Sequence, residues 1–146
     1  MESLPKPRCY NPRVSPDLSA KEWAGFLAAN ADAPLLQTSY WGGLKSRFGW
    51  TREHVQSADA GAQVLFRRLP LGLTLAYVPK GPVGNWLPSL LPALDVLCRA
   101  RGAFALKIEP DEEDDPALAA KLGAQGLAPS PHVVQPRRTL AVSLEG

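Results

Sequence analysis

The segment TREHVQSADAGAQVLFRRLPLGLTLAYVP, residues 51–79, decides the fold class. It contains three runs with strand character, at residues 51–57, 62–68 and 73–79. The tetrapeptide ADAG joins the first two runs and is a good hairpin signal, while a Pro-Leu-Gly turn precedes the third run. The segment therefore predicts an antiparallel meander of three strands.

Helix signals precede this meander. Ser19 and Glu22 have the spacing of a capping box, and the helix that they begin is expected to end near Asn30. A second, short helix is predicted from about Ser39 to Phe48, because apolar side chains recur there with helical spacing. Two helices are thus expected before the first strand.

Helices and strands also alternate after the meander. The strongest helical pattern lies around residues 89–101, and the run FALKIEP at 104–110 reads as a strand. Asp115 caps a further helix with Pro116 at its first position, and RTLAVSL at 138–144 reads as a closing strand. This order predicts an α/β (α+β) fold with a mixed, mostly antiparallel sheet flanked by helices.

Length and composition are those of one globular domain. The chain has 146 residues, of which 45% are hydrophobic and 21% are charged, so wholesale disorder is not expected. Its 15 prolines favour many short elements over a long helical bundle. We expect an extended, Pro-rich lead-in over residues 1–18 and a single domain over residues 19–146.

The charge is unevenly distributed. Residues 1–108 carry a net charge of +6, and the run EPDEEDD at 109–115 contributes −6. A basic body favours an anionic ligand without identifying it. The acidic run precedes a helix start, where negative charge is favourable, and it lacks EF-hand spacing. A solvated loop is therefore preferred to a divalent metal site, and no metal is predicted.

The cysteines and the apolar runs indicate the setting. Cys9 and Cys98 lie too far apart for a CxxC motif, and Cys98 falls among apolar helix positions, where a buried, unreactive thiol is expected. The start MESLPKPRCYNPR has no apolar signal region, and no apolar run approaches about 20 residues. We expect a reduced, cytoplasmic protein whose contact with a membrane, if any, is peripheral.

Common catalytic motifs are absent. The sequence has no GxSxG, P-loop, HExxH or GxGxxG pattern, and a structural role is preferred for both His54 and His132. The order of elements resembles that of GNAT acyltransferases, but VPKGPVGNW replaces their acetyl-CoA loop. Acetyl-CoA is therefore disfavoured, no cofactor is predicted, and no catalytic residue is assigned.

Four segments in order carry a more specific resemblance. They are LLQTSYWGGLKSRFGW at 35–50, AYVPKGPV at 76–83, LKIEPD at 106–111 and VVQPRRTLAVSL at 133–144. Together they resemble the amino-terminal half of the Fem family. Members of this family are peptidyltransferases with two GNAT-like domains, which move an amino acid from aminoacyl-tRNA onto a peptidoglycan precursor. The resemblance implies that this chain supplies the first, GNAT-like domain.

The resemblance also implies a substrate site. Lys45, four residues after Trp41, matches a family lysine that contacts the phosphates of the precursor, and an ammonium suits a diphosphate. From the residues alone, Lys45 reads as a solvated helix lysine. Trp41 is included in the site because it lies on a neighbouring ridge of the same helix.

Two further positions belong to the implied site. Glu109 occupies the place of a family aspartate near the acceptor peptide, with a side chain longer by one methylene. Phe104 falls where a family tyrosine can line the precursor site, but it lacks the hydroxyl, and from the residues alone it reads as a buried strand aromatic. Arg137 and Arg138 lie beside a predicted strand, where a phosphate, a neighbouring domain or an exposed strand edge are open alternatives.

The sequence is compatible with three functions. The leading hypothesis is an aminoacyltransferase of peptidoglycan interpeptide-bridge synthesis, in which this chain binds a UDP-muramyl peptide or lipid II and a second domain binds aminoacyl-tRNA. The alternative is a non-catalytic module, or an inactive fragment, that binds a sugar nucleotide or peptide. The third is a GNAT N-acyltransferase, which the missing acetyl-CoA loop weakens.

Overall fold

The computed structural model describes residues 18–57, 59–87 and 89–136. The helices are α1 (Ala20–Ala28), α2 (Ser39–Ser46), α3 (Leu91–Ala100) and α4 (Pro116–Ala124). The strands are β1 (Trp50–Ser57), β2 (Ala60–Arg68), β3 (Thr74–Val78) and β4 (Ala103–Ile108). Short 3₁₀ turns lie at Leu35–Gln37 and Pro70–Gly72. The predicted lead-in up to residue 17, the predicted strand at 138–144, and both Arg137 and Arg138 lie outside the described residues.

The four strands form one mixed sheet in the order β1-β2-β3-β4. The pairs β1–β2 and β2–β3 are antiparallel, which confirms the predicted meander. Strand β4 pairs with β3 in parallel, after a crossover that contains α3. The predicted α/β fold with a mostly antiparallel sheet is therefore confirmed, and the finer GNAT-like assignment stays a prediction.

The boundaries of the first hairpin follow from a tight turn. Trp50 pairs with Arg67 and Ser57 pairs with Ala60, so only two residues lie between the paired strand ends. Strand β2 therefore begins two residues earlier than its sequence pattern predicted. Helix α2 likewise ends two residues earlier than predicted, and Gly49 follows with a left-handed φ of 80° that suits a helix end.

Side-chain caps fix the starts of two helices as predicted. The Ser19 hydroxyl accepts a hydrogen bond from the Glu22 amide at 3.3 Å, and the Glu22 carboxylate accepts one from the Ser19 amide at 2.8 Å. The Asp115 carboxylate accepts from the Ala117 amide at 3.0 Å at the start of α4. Each cap pairs a backbone N–H group that the helix itself leaves free.

One face of the sheet packs against α3 and its neighbouring loops to form the main core. The largest apolar side chains buried there are those of Val55, Val64, Phe66, Val78, Trp86, Leu90, Leu94 and Leu97. Cys98 belongs to the same cluster, and burial raises the pKa of its thiol to about 11. The predicted burial of the Cys98 thiol is confirmed, and its raised pKa disfavours the reactive thiolate.

Helices α1 and α2 cover the opposite face. Trp23 is fully buried, and its ring stacks on the rings of Phe26 and His54 at centroid distances of 5.1 Å and 4.8 Å. Burial lowers the pKa of His54, so its imidazole is held in the neutral form. His54 lies in β1, which agrees with the predicted strand position, and its non-catalytic role stays a prediction. Among the described residues, no helix has the length and apolar character needed to cross a bilayer.

Candidate functional site

A buried glutamine fixes the approach to α2. The Gln37 side chain is fully buried, donates to the Pro79 carbonyl at 2.6 Å and accepts from the Gln63 amide N–H at 2.7 Å. The backbone carbonyl of Gln37 accepts a hydrogen bond from the Trp23 indole at 2.8 Å. A Cβ on Gly81 would lie 2.6 Å from the Gln37 side chain, so only glycine fits there. Gln37 thus joins β2 to the loop that follows β3.

Helix α2 lies close against the sheet at Gly42. A Cβ on this residue would lie 2.4 Å from the Gln63 amide oxygen and 2.7 Å from Cδ of Arg52. The Arg52 guanidinium in turn donates to the Ser39 carbonyl at 2.5 Å. The position of α2, and of the side chains that it carries beside the sheet, is therefore fixed by close contact of its backbone with the side chains of Gln63 and Arg52.

Two cations lie over one indole ring. The Lys45 ammonium is 5.1 Å from the ring centroid of Trp41 and 5.7 Å from that of Trp50. The guanidinium carbon of Arg67 is 5.4 Å from the same Trp50 centroid. Within the described part of the chain, neither cation has a carboxylate partner. Aromatic faces attract both charges while leaving their N–H donors available.

Arg67 lines a groove of about 360 Å³, and Lys45 lies over Trp50, whose ring lines it too. The rings of Trp50 and Tyr77 line it, with their centroids 6.2 Å apart, and Arg67, Arg68 and Lys107 supply positive charge. None of the described residues that line it is acidic. Register explains the clustering, because Trp50 pairs with Arg67 and Tyr77 pairs with Lys107 across neighbouring strands. The arrangement suits an anionic ligand with a flat or ring-shaped part.

Glu109 lies beside the groove and binds two of the residues that line it, Tyr77 and Val134. Its carboxylate accepts hydrogen bonds from the Tyr77 hydroxyl at 2.5 Å, the Val134 amide at 2.8 Å and the Gln135 amide at 3.3 Å. The Lys107 ammonium lies 3.8 Å away. Burial, and then the bond to Glu109, raise the pKa of Tyr77 above its ordinary value, so the phenol remains a donor. Glu109 therefore holds the 134–135 segment beside the groove.

The structure joins Lys45 and Glu109 through one continuous row of contacts. Lys45 lies over Trp50, Trp50 contacts Tyr77, and Tyr77 donates to Glu109. The Glu109 backbone also pairs with β3 and the loop after it, donating to the Val78 carbonyl and accepting from the Gly81 amide, each at 3.0 Å. The proposed substrate residues Lys45, Trp41 and Glu109 thus lie along one surface, and their role in binding stays a prediction.

Comparisons with known proteins show what this chain is similar to. No family model matches the chain. A lipid II:glycine glycyltransferase of Staphylococcus haemolyticus is 30% identical over 149 residues, which cover 88% of this chain and 36% of that protein. One of Staphylococcus aureus is 28% identical and covers 88% and 35%. A solved structure of FemX matches 75% of this chain and 31% of its own, with 28% identity and a TM-score of 0.65.

The chain belongs to the Fem family. The resemblance inferred from the four sequence segments is therefore confirmed. This Fem chain spans about a third of the length of the curated relatives that it matches. What those relatives do as whole proteins concerns a longer polypeptide than the one described here.

Phe104 does not join the row of contacts in the Fem chain. Its side chain is 59% exposed, so the interpretation as a buried strand aromatic is wrong. The physical reason is a shift of register, because Ala103 pairs with Thr74 whereas Ala105 pairs with the next residue, Leu75. Phe104 is the extra residue of this irregularity, and its ring faces solvent. A part for Phe104 in substrate binding stays a prediction.

In the Fem chain, residues 111–115 of the acidic run are exposed as predicted, and two of them have specific partners. Asp111 forms an ion pair with Lys80 at 3.2 Å, and Glu112 accepts from the Trp86 indole at 3.1 Å. Lys80 has a left-handed φ of 44° in the same loop. Among the residues described, no group of three or more His, Cys, Asp or Glu side chains is arranged to hold a metal ion. The acidic run therefore connects the segment after β4 to the loop between β3 and α3.

Proposed function

We propose that this Fem chain is the precursor-binding part of an aminoacyltransferase that builds peptidoglycan interpeptide bridges. In this proposal it binds a muramyl-peptide precursor, either UDP-linked or lipid II, and acts in the cytoplasm. A second domain, beyond the third of the relatives that this chain matches, binds the aminoacyl-tRNA donor. Support comes from the relatives, whose name states glycine transfer involving lipid II.

The observation that carries the proposal is the pair of cations over Trp50. Lys45 and Arg67 both lie within 6 Å of this ring centroid, where aromatic contact holds them without neutralising them. A diphosphate offers several anionic oxygens to two such donors, and charge-assisted hydrogen bonds are the strong ones. The rings of Trp50 and Tyr77 then offer apolar surface to the groups that flank the phosphates.

The remaining groups organise the site. In the proposal, Glu109 keeps Tyr77 oriented and holds the 134–135 segment in place. The peptide end of the precursor then contacts a surface whose shape these bonds fix. The amine of the precursor attacks the ester carbonyl of aminoacyl-tRNA, an amide bond forms as the ester C–O bond breaks, and the tRNA leaves with its ribose hydroxyl restored by the proton that the amine loses. The protein contributes positioning and charge stabilisation. Neither His54, buried with its ring stacked on Trp23 and its Nε2 bonded to Gln63, nor Cys98, buried with a raised pKa, is accessible for nucleophilic or base catalysis.

A non-catalytic binding module is the second candidate. The observation that favours it is that the carboxylate of Glu109 is already used by Tyr77 and two backbone amides. A module of this kind binds the precursor and transfers nothing, even when the rest of the polypeptide is present. A GNAT N-acyltransferase remains the third candidate, disfavoured because the acetyl-CoA loop pattern is missing from VPKGPVGNW.

Calorimetric titration with UDP-muramyl pentapeptide at low salt tests the proposal. Lys45→Ala is expected to weaken binding by about tenfold to a hundredfold, since a hydrogen bond to a charged group contributes about 1.5–3 kcal/mol. Lys21→Ala is the matched control, because Lys21 is exposed on α1 and outside the groove. Unchanged binding by Lys45→Ala, or an equal loss in both variants, contradicts the proposal.

A second measurement separates transferase from module. The longer polypeptide is incubated with the precursor and charged tRNA, and the peptide product is analysed by mass spectrometry. Extension of the peptide supports the transferase, whereas binding without extension supports the module. The 146-residue chain alone is expected to bind weakly and to extend nothing, because the donor site is assigned to the second domain.

A further inference from the structure

Exposed apolar side chains cluster at the end of the sheet where β1 begins. Trp50 pairs with Arg67, so the residues just before β1 lie beside those just after β2. Phe48 precedes β1 and is 66% exposed, while Leu71, in the turn between β2 and β3, is 96% exposed. Leu73 follows in the same turn and is 44% exposed. The surface called here the basic tip consists of Arg47, Phe48, Arg68, Leu71 and Leu73.

The backbone of Leu71 is unfavourable for a leucine. Its φ is 67° and its ψ is 17°, the left-handed region that glycine and asparagine adopt more readily. Its nearly fully exposed side chain contributes little packing that would offset this cost. A residue that is held in a disfavoured conformation and is not needed for packing points to a function outside the fold.

The charges around the basic tip are of one sign. The sequence has no Asp or Glu in residues 33–52 or in residues 60–94, which include the tip and its neighbours. Arg47 and Arg68 are both exposed, and neither forms an ion pair within the described part of the chain. The tip therefore combines protruding apolar groups with unneutralised cations.

The outer face of α2 extends this surface. Tyr40 is 89% exposed and Leu44 is 46% exposed, and these two residues are four positions apart on α2, with Phe48 just beyond the end of the helix. Residues at this spacing share one face of a helix. A helix with exposed aromatic and leucine side chains, flanked by arginine, has the character of an element that lies in a membrane interface.

We propose that the basic tip and the outer face of α2 dock this domain on an anionic lipid bilayer. Leu71 and Phe48 enter the boundary between headgroups and acyl chains, and Arg47 and Arg68 contact the lipid phosphates. A free anion explains the arginines but not the exposed Leu71, whereas a charged bilayer accounts for both. The proposal goes beyond precursor binding and does not depend on it.

Co-sedimentation with lipid vesicles tests the proposal. The full 146-residue chain is mixed with vesicles of phosphatidylglycerol and phosphatidylcholine, or of phosphatidylcholine alone. The chain is expected to bind the anionic vesicles and to dissociate as salt rises. Leu71→Asn is expected to weaken binding about tenfold, which corresponds to about 1.4 kcal/mol, because an apolar side chain no longer enters the lipid. Asparagine accepts the left-handed backbone, so this variant is expected to stay folded.

Val96→Ala is the matched control. Val96 is 49% exposed on α3, which packs on the opposite face of the sheet, and this variant is expected to bind like the parent chain. Three outcomes would overturn the proposal: no binding to anionic vesicles, equal binding to neutral vesicles, or parent-like binding by Leu71→Asn. A dimer that Leu71→Asn dissociates would overturn it too, since a second copy would then cover this face.

Discussion

Replacing Gly42 by alanine gives the sharpest test of how α2 is held against the sheet. The added Cβ would lie 2.4 Å from the Gln63 amide oxygen and 2.7 Å from Cδ of Arg52, far inside van der Waals contact. Gln63 cannot move aside freely, since its side chain donates to the Leu36 and Thr38 carbonyls at 3.1 Å and 3.0 Å. The substitution therefore forces either the helix or this network to shift.

The magnitude follows from two opposing effects. Alanine in a helix interior is favoured over glycine by about 0.8–1.0 kcal/mol. Overpacking of a close contact costs about 1–3 kcal/mol, and each hydrogen bond lost in the Gln63 network adds about 1 kcal/mol. We expect Gly42→Ala to lower the free energy of unfolding by about 1–3 kcal/mol. For a domain of this size, each kcal/mol lowers Tm by roughly 3–5 °C.

Gly25→Ala provides a matched comparison. Gly25 lies in α1, is exposed, and has no atom within 4 Å of a Cβ built on it, so the same substitution should be stabilising. Urea unfolding followed by circular dichroism measures both variants and compares their midpoints. If Gly42→Ala is as stable as the parent, or gains stability as Gly25→Ala does, the close approach of α2 does not hold the helix.

Two other substitutions probe the buried polar groups beneath the site. Gln37→Ala is expected to destabilise the fold by about 2–4 kcal/mol, because a buried carbonyl and a buried amide lose their partners; a loss below 1 kcal/mol in urea unfolding would contradict this. The pKa of His54 is lower in the folded chain than its ordinary value of about 6.5, so the unfolded chain binds more protons. The contribution of His54 to stability is complete above pH 6.5 and declines as the pH falls towards the folded-state pKa. His54→Gln should flatten this part of the stability–pH curve, and an unchanged slope would refute the assignment.

Most of the fold could be predicted from local patterns in the sequence. The turn chemistry of the 51–79 segment predicted the antiparallel meander, and the cap residues Ser19 and Asp115 predicted two helix starts. These features depend on neighbours within a few residues, which a sequence displays directly. The predicted ends were less accurate, because packing against the sheet and the tight hairpin turn set them.

The candidate site was only partly visible in the sequence. Lys45 and Glu109 were predicted as site residues from the family resemblance, whereas Trp50, Arg67 and Tyr77 were not predicted to belong to the site. Strand register brings these three side chains together, and register depends on pairing between distant segments. Phe104 was misread for a related reason, since one irregular position in the pairing of β4 changes the surroundings of its ring.

The hairpin of β1 and β2 has a consequence for the order in which the site assembles during folding. A hairpin with so short a turn closes in about 1–10 μs, so the strands that carry Trp50 and Arg67 can meet early. Glu109 reaches Tyr77 only after the crossover through α3 has laid β4 beside β3, and non-local parallel pairing is intrinsically slow. In the row of contacts, the pair of Trp50 and Arg67 is therefore expected to form first, and the pair of Tyr77 and Glu109 last.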